Sequence, residues 1–199
     1  MKQVIFASSN QGKIKEVASI LEKFHVSVKS LADIGYLDDI EETGDTFEEN
    51  ALIKARAIAN RHGLTVIADD SGLEIDALGG APGVYSARYA GEPKCDDANI
   101  EKVLKELTGR TDKSPFTARF VCVLVVVTPE GEETVVRGTC EGVIIDELRG
   151  AGGFGYDPIF YLPEKEKTMA ELTQEEKNAI SHRAQAFEKL TQYFNEMGA

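Results

Sequence analysis

The chain has 199 residues and a mass of 21.7 kDa, with 22 basic and 34 acidic side chains and a formal net charge of −12. Apolar residues make up 42%, which supports a real core and argues against wholesale disorder; the longest apolar run, residues 120–127, is eight residues against the roughly 20 of a membrane helix. A pI near 4.8 leaves no broad basic face, so neither a membrane nor a nucleic-acid partner is expected.

Residues 3–7 (QVIFA) form a β-type run that ends in Ser8, Ser9 and Asn10. The opening MKQVIFASSN turns polar after a few residues and lacks a secretory core, which points to a cytoplasmic protein. Residues 12–24 then place Ile14, Val17, Ile20, Leu21 and Phe24 at helical spacing, and Val26 and Val28 alternate into a second strand. This β-α-β order puts the loop 8–13 at the carboxyl end of the first strand, where open α/β sheets hold their ligands.

From residue 30 to 53 there are eight acids (Asp33, Asp38, Asp39, Glu41, Glu42, Asp45, Glu48 and Glu49) and no lysine or arginine. Such a run is either a solvated loop and helix start or a negative wall that needs a metal ion to admit an anionic substrate. Thr46 and Glu49 form a capping-box pair opening a helix with the stripe Phe47, Leu52, Ala55 and Ala59, which stops before Gly63. Residues 64–68 (LTVIA) read as a short central strand. It is followed by Asp69-Asp70-Ser71-Gly72, an expected turn, a second short strand, and a glycine-rich turn at 79–83.

Residues 97–107 form a third helix with Ile100, Val103, Leu104 and Leu107 on one face. Two long strands, 117–128 and 134–141, are joined by an acidic loop into a hairpin. The second half of the first strand is apolar throughout, so both its faces should be covered. A glycine-rich stretch, 150–158, precedes two helices at 173–180 and 181–194, the first opened by a Thr173/Glu176 capping box. No repeat or linker marks independent domains. Cys95, Cys122 and Cys140 are 27 and 18 residues apart, which suits neither a disulfide scaffold nor a metal knuckle. With three histidines (His25, His62 and His182) and no HExxH, a metal would be a hard ion on carboxylates and phosphate oxygens.

Four segments could carry chemistry. Asp69 and Asp70 at the end of an apolar strand either cap a turn or serve as Mg²⁺ ligand and general base, and neighbouring strand positions give them different jobs. The loop Ser8-Ser9-Asn10-Gln11-Gly12-Lys13 at a helix start is either a cap or an anion site, although it lacks P-loop spacing. The stretch 150–158 is not followed by a helix and so is no dinucleotide fingerprint; it either turns over core aromatics or presents Phe154 or Tyr156 to a purine. Ser181-His182-Arg183, with Lys177 a turn earlier, is either solvated surface or a contact to an anion or base carbonyl.

Read together, these segments resemble the inosine/xanthosine triphosphate pyrophosphatase family. The matching stretches are Ser8-Ser9-Asn10-Gln11-Gly12-Lys13, then Gly44-Asp45-Thr46-Phe47-Glu48-Glu49-Asn50-Ala51 with Lys54 and Ala55, and Ala68-Asp69-Asp70-Ser71-Gly72-Leu73. They continue with Gly80-Ala81-Pro82-Gly83-Val84-Tyr85-Ser86-Ala87-Arg88-Tyr89, Gly153-Phe154-Gly155-Tyr156-Asp157-Pro158-Ile159-Phe160 and Ser181-His182-Arg183 with Lys177 upstream.

The resemblance implies a single α/β domain over residues 1–199: a mixed, elongated, twisted sheet flanked by helices, with two lobes sharing the sheet and a central cleft. It implies Mg²⁺-dependent hydrolysis of ITP, dITP or XTP between the α and β phosphates, giving the monophosphate and pyrophosphate, in a homodimer. Asp70 then corresponds to a metal ligand and the proton acceptor for water, and Glu41, with Glu42 adjacent, to the second metal carboxylate. Ser8, Asn10, Lys13, Lys54 and Ser71 fall on the phosphate side, the first three in a substrate loop that also includes Ser9, Gln11 and Gly12. Phe154, Gly155, Tyr156, Asp157, Lys177, His182 and Arg183 fall on the nucleoside side. Two other readings are a septum-formation-type pyrophosphatase acting on modified or pyrimidine nucleotides, and a non-catalytic nucleotide-binding protein.

Overall fold

The computed structural model describes residues 2–36, 38, 40–110 and 115–196; Asp39, one of the eight acids counted above, lies outside them. Strand β1 (Lys2–Phe6) leads into helix α1 (Gln11–Glu22) and strand β2 (Val26–Lys29), and β1 pairs in parallel with β2. Helix α1 starts where it does because the Asn10 side chain accepts the Lys13 amide at 3.1 Å, satisfying one of the orphan N–H groups of the first turn. Phe24, placed on this helix by its spacing, falls beyond the helix end and is exposed, because the chain turns through a left-handed His25.

Helix α2 (Phe47–His62) has its expected capping box and ends at a left-handed Gly63. Phe47, Asn50, Ala51, Ala55, Ile58 and Ala59 are buried along it, and Leu52 is half-buried. Strand β3 then runs unbroken over Val66–Ile75, parallel to β1. This corrects the expected turn after Ser71: the chain stays in the sheet straight through Asp69, Asp70, Ser71 and Gly72. Two carboxylates are tolerated inside a strand here because cations meet them, as described below.

Helix α3 (Asp96–Thr108) precedes the hairpin of β4 (Phe116–Val127) and β5 (Glu133–Ile144). From Phe120 onward every β4 residue is buried, as its apolar run requires. Two short antiparallel strands absent from the expected elements, β6 (Phe160–Leu162) and β7 (Lys167–Thr168), complete a mixed seven-stranded sheet of order β2-β1-β3-β4-β5-β6-β7. Helices α4 (Gln174–Ile180) and α5 (His182–Glu196) close the chain.

The chain divides into two compact units. The first comprises Met1–Asp70, Cys122–Gly138 and Arg183–Ala199; its core gathers Val4, Phe6, Val17, Leu21, Ile67, Leu124 and Phe187. The second comprises Ser71–Val121 and Thr139–His182; its core gathers Leu73, Ile75, Ile100, Val103, Phe120, Tyr156 and Phe160. The candidate residues are distributed over both units. Among the described residues, no helix is long and apolar enough to cross a membrane.

Candidate active site

In the first unit, β3 carries Asp69 and Asp70 on consecutive positions, so their side chains leave opposite faces of the strand. Both are buried, and they have different surroundings. Asp69 Oδ2 accepts from Lys13 Nζ at 2.8 Å, and Arg183 Nε lies at 3.9 Å. Burial would raise the Asp69 pKa, but Lys13, Arg183 and Lys54 outweigh it and hold the carboxyl well below the usual carboxylate range. Asp69 is therefore ionised at any physiological pH.

Asp70 differs. Its Oδ1 lies 3.8 Å from Lys54 Nζ, an ion pair rather than a short hydrogen bond. Burial pushes its pKa up to about 6; Lys54 opposes that shift, while Glu42 and Asp69 add to it. Lys54 Nζ donates to Glu42 Oε1 at 2.8 Å. Burial works against the Lys54 ammonium, yet Asp69, Asp70 and Glu42 together hold its pKa above the ordinary lysine value.

The acidic loop is tied to α2 by its backbone. Gly44 donates to Asn50 Oδ1 at 2.8 Å, and Asp45 and Thr46 both donate to Glu49 Oε2. A Cβ on Gly44 would lie 2.6 Å from Glu49 Cβ, so the tight approach requires glycine. Of the adjacent acids, Glu42 meets Lys54 and raises Asp70, whereas Glu41 is exposed. In the loop at the start of α1, Ser9, Asn10, Gln11 and Gly12 are exposed, Ser8 Oγ accepts the Asn10 amide, and Lys13 reaches back to Asp69.

The first unit thus holds Lys13, Lys54 and Arg183 against Glu42, Asp69 and Asp70, three cations to three anions. Among the described residues, no three His, Cys, Asp or Glu side chains gather into a closed metal cage.

The second unit holds the remaining candidates. Lys177 Nζ donates to Asp157 Oδ2 at 2.6 Å, both side chains being buried, and lies 4.9 Å from the centroid of the Phe154 ring. The same Asp157 oxygen accepts the Phe154 amide at 3.1 Å. Phe154 is 47% exposed, so its ring is available for stacking while a cation sits against it. Tyr156, by contrast, is a core residue whose hydroxyl donates to the Ser86 carbonyl at 2.7 Å. Of the two aromatics proposed for a purine, the loop presents Phe154.

Neighbouring Gly155 is half-buried and left-handed, and Ser71 is half-buried on β3. His182 is buried, its ring stacked on Phe120 at 5.1 Å between centroids, rather than solvated. Asn50 has no role in the sequence-based expectations, and Glu42 enters them only as the neighbour of Glu41. Asn50 was detectable as a polar residue one turn after Phe47 on the helix's buried stripe; Glu42 carries no signal that separates it from Glu41.

A sequence profile of the Ham1 family matches residues 4–193. The dITP/XTP pyrophosphatase of Bacillus subtilis (strain 168) is 60% identical over 191 residues, covering 96% of each chain. That of Halalkalibacterium halodurans is 57% identical, covering 98% of this chain and 100% of its own. Among solved structures, the Staphylococcus aureus Ham1 protein aligns over the full length of both chains with a TM-score of 0.88 and 49% identity. The HAM1 protein of Coxiella burnetii aligns with a TM-score of 0.91 and 45% identity, over 98% of this chain and 100% of its own. With nearly every residue of the chain inside these matches, it belongs to the Ham1 family.

Proposed function

We propose that the chain hydrolyses non-standard purine nucleoside triphosphates (ITP, dITP and XTP) between the α and β phosphates, releasing the monophosphate and pyrophosphate and so clearing them from the nucleotide pool. Relatives at 55–60% identity that carry the name dITP/XTP pyrophosphatase support the substrate class. The observation that carries the chemistry is the buried Asp70, raised toward neutrality beside Lys54 while its neighbour Asp69 is locked as an anion.

Asp70 accepts the proton of the attacking water. The water oxygen forms a bond to the α-phosphorus, and the bond from that phosphorus to the oxygen bridging the β-phosphate breaks. Lys13 and Lys54 face the departing pyrophosphate, each exchanging part of its contact with Asp69 or Glu42 for phosphate oxygens. The half-buried Ser8 and the exposed Ser9, Asn10, Gln11 and Gly12 at the start of α1 orient the phosphate chain, with Ser71 beside Asp70. Bound Mg²⁺ supplies positive charge to the phosphates and polarises the water, and Asp70 with the Glu41–Glu42 pair are the residues that would hold it.

On the nucleoside side, Phe154 offers its ring to the base, flanked by Gly155 and Tyr156. Lys177 has three N–H donors, one of them engaged by Asp157, and with His182 it favours a 6-oxo acceptor. Adenine presents a donor at that position, and a site built around such a hydrogen bond rejects the mismatched base by up to about 10⁴-fold. Nucleotide pools are cytoplasmic, and we place the enzyme there as a homodimer; light scattering distinguishes one 21.7 kDa chain from two.

The test is a panel of ITP, dITP, XTP, ATP and pyrimidine triphosphates with Mg²⁺, phosphate and pyrophosphate being quantified separately, and a parallel arm in EDTA. The expected result is pyrophosphate from the first three, far less from ATP, and none in EDTA. Comparable kcat/KM for ATP and ITP would overturn the substrate class, and release of single phosphates would overturn the cleavage position. Asp70→Asn is expected to keep less than about a tenth of the wild-type kcat at saturating Mg²⁺, since proton transfer contributes about 10²–10⁴ in rate.

A further inference from the structure

The loop 153–157 presents Phe154, and two carboxylates from different parts of the second unit hold its consecutive amides. Asp157 Oδ2 accepts the Phe154 N–H at 3.1 Å, and Asp96 Oδ2, 59 residues away at the first turn of α3, accepts the Gly155 N–H at 2.7 Å. Gly153 and Gly155 both have positive φ (76° and 60°). A Cβ on Gly153 would fall 2.0 Å from Asp157 Oδ2, whereas one on Gly155 would meet nothing within 4 Å. At Gly153 the backbone is held by close packing as well as conformation. At Gly155 nothing packs on the Cβ side; the peptide between Phe154 and Gly155 is held at its carbonyl by the Asp157 amide at 3.4 Å and, by the shorter contact, at its N–H by Asp96.

We propose that Asp96 is a positioning residue for base recognition: by holding the Gly155 amide it fixes the peptide after Phe154 and so aims the aromatic ring. This rests on the reading of 153–157 as the base-side loop. Asp96 meets this loop through the backbone N–H of Gly155. It is exposed, so losing its hydrogen bond lets water solvate the Gly155 amide, and the fold itself loses little. What is lost is order in the loop before substrate arrives, and that order has to be restored at each binding event. Weaker ground-state binding with nearly unchanged chemistry is the signature of such a role.

Asp96 also favours the N-terminal dipole of α3, and a variant there changes helix charge as well as the loop. Asp97, next to it in the same first turn and equally exposed, provides the control. The experiment compares wild type, Asp96→Ala, Asp96→Glu and Asp97→Ala by amide hydrogen exchange at Gly155, measured by NMR without nucleotide, and by steady-state pyrophosphate release from ITP. In Asp96→Ala, Gly155 is expected to exchange about tenfold faster, the size of one charge-assisted hydrogen bond. Its KM for ITP should rise about five- to tenfold with kcat within about twofold of wild type. Asp96→Glu should recover part of both effects, and Asp97→Ala should show neither.

Unchanged exchange at Gly155 in Asp96→Ala would overturn the assignment, whatever substrate the enzyme turns over. A shared effect of Asp96→Ala and Asp97→Ala would overturn it in favour of helix charge, and a loss confined to kcat would overturn the positioning role. Failure of the wild type to release pyrophosphate from ITP would instead overturn the substrate reading, and the exchange measurement does not depend on it.

Discussion

Asp69 and Asp70 are identical side chains on adjacent positions of one strand, yet they act on stability in opposite directions. Lys13 and Arg183 hold Asp69 below the ordinary carboxylate range, so its charge stabilises the fold above about pH 4, and that contribution is lost as pH falls through its depressed folded value. Burial holds Asp70 at about 6, so the folded chain keeps this proton more tightly than the unfolded chain does. The Asp70 contribution to stability therefore worsens as pH rises from about 4 to about 6, and the whole cost stands above that window. In metal-free protein at pH 7.5, Asp70→Asn is expected to be more stable than wild type by about 1–3 kcal/mol, from a shift of that size at 1.36 kcal/mol per unit. Asp69→Asn leaves Arg183 and Lys13 short of their counter-charge and is expected to cost about 3–5 kcal/mol. Thermal melts in EDTA at pH 4 and 7.5 read both, and the gain from Asp70→Asn should vanish at the lower pH. Equal losses from the two variants would show that the pair acts as one structural unit. A residue that destabilises the resting fold while facing the reaction is the pattern expected of a functional carboxylate rather than a turn cap.

The elements that carry these residues were legible wherever local chemistry decides local structure. Helix α2 was marked by Thr46 and Glu49, and the capping box forms, with Glu49 accepting the Asp45 and Thr46 amides and donating its own amide to Thr46 Oγ1 at 3.1 Å. Thr46→Ala is expected to cost about 1 kcal/mol and to lower Tm by about 2–4 °C. Asn50→Ala should cost more, because it leaves the Gly44 amide without its buried acceptor and opens a gap beside a fully buried position. Melts of the two variants check the order, and an Asn50→Ala variant as stable as wild type would refute the tie between α2 and the acidic loop. Where tertiary charge pairing decides, the sequence was silent. Asp69-Asp70-Ser71-Gly72 has the composition of a turn, but Lys13 and Arg183, 56 residues before and 114 after Asp69, keep β3 straight. The three-residue β6 and two-residue β7 are too short to show a period of two. For the candidate site, residue types and order singled out Asp70, Lys13, Lys177 and Phe154 as candidates and the family resemblance added Lys54, whereas no local pattern separates Glu42 from Glu41, makes Tyr156 a core residue, or links Asp96 to Gly155.

At the scale of the whole molecule, a chain of net charge −12 is proposed to bind a polyanion. Net charge alone is not decisive, because a cluster of lysines could offset it locally. The structure narrows that possibility: in the first unit Lys13 and Arg183 both lie against Asp69 and Lys54 lies against Glu42 and Asp70, and in the second Lys177 is paired with Asp157. These cations are thus already engaged, and on the proposed reading the phosphates are neutralised by lysines that exchange partners together with the ion that accompanies the substrate. What remains at longer range is repulsion between an acidic protein and an anionic substrate. The Debye length falls from about 30 Å at 10 mM salt to about 8 Å at 150 mM, so added salt screens that repulsion while leaving the short contacts of the site less affected. At fixed free Mg²⁺, kcat/KM for ITP is expected to rise about two- to threefold between 10 and 150 mM KCl. An enzyme that drew its substrate in with uncompensated lysines would show the opposite slope, and a steady fall in kcat/KM across that range would mean that the paired cations release their partners before the nucleotide arrives.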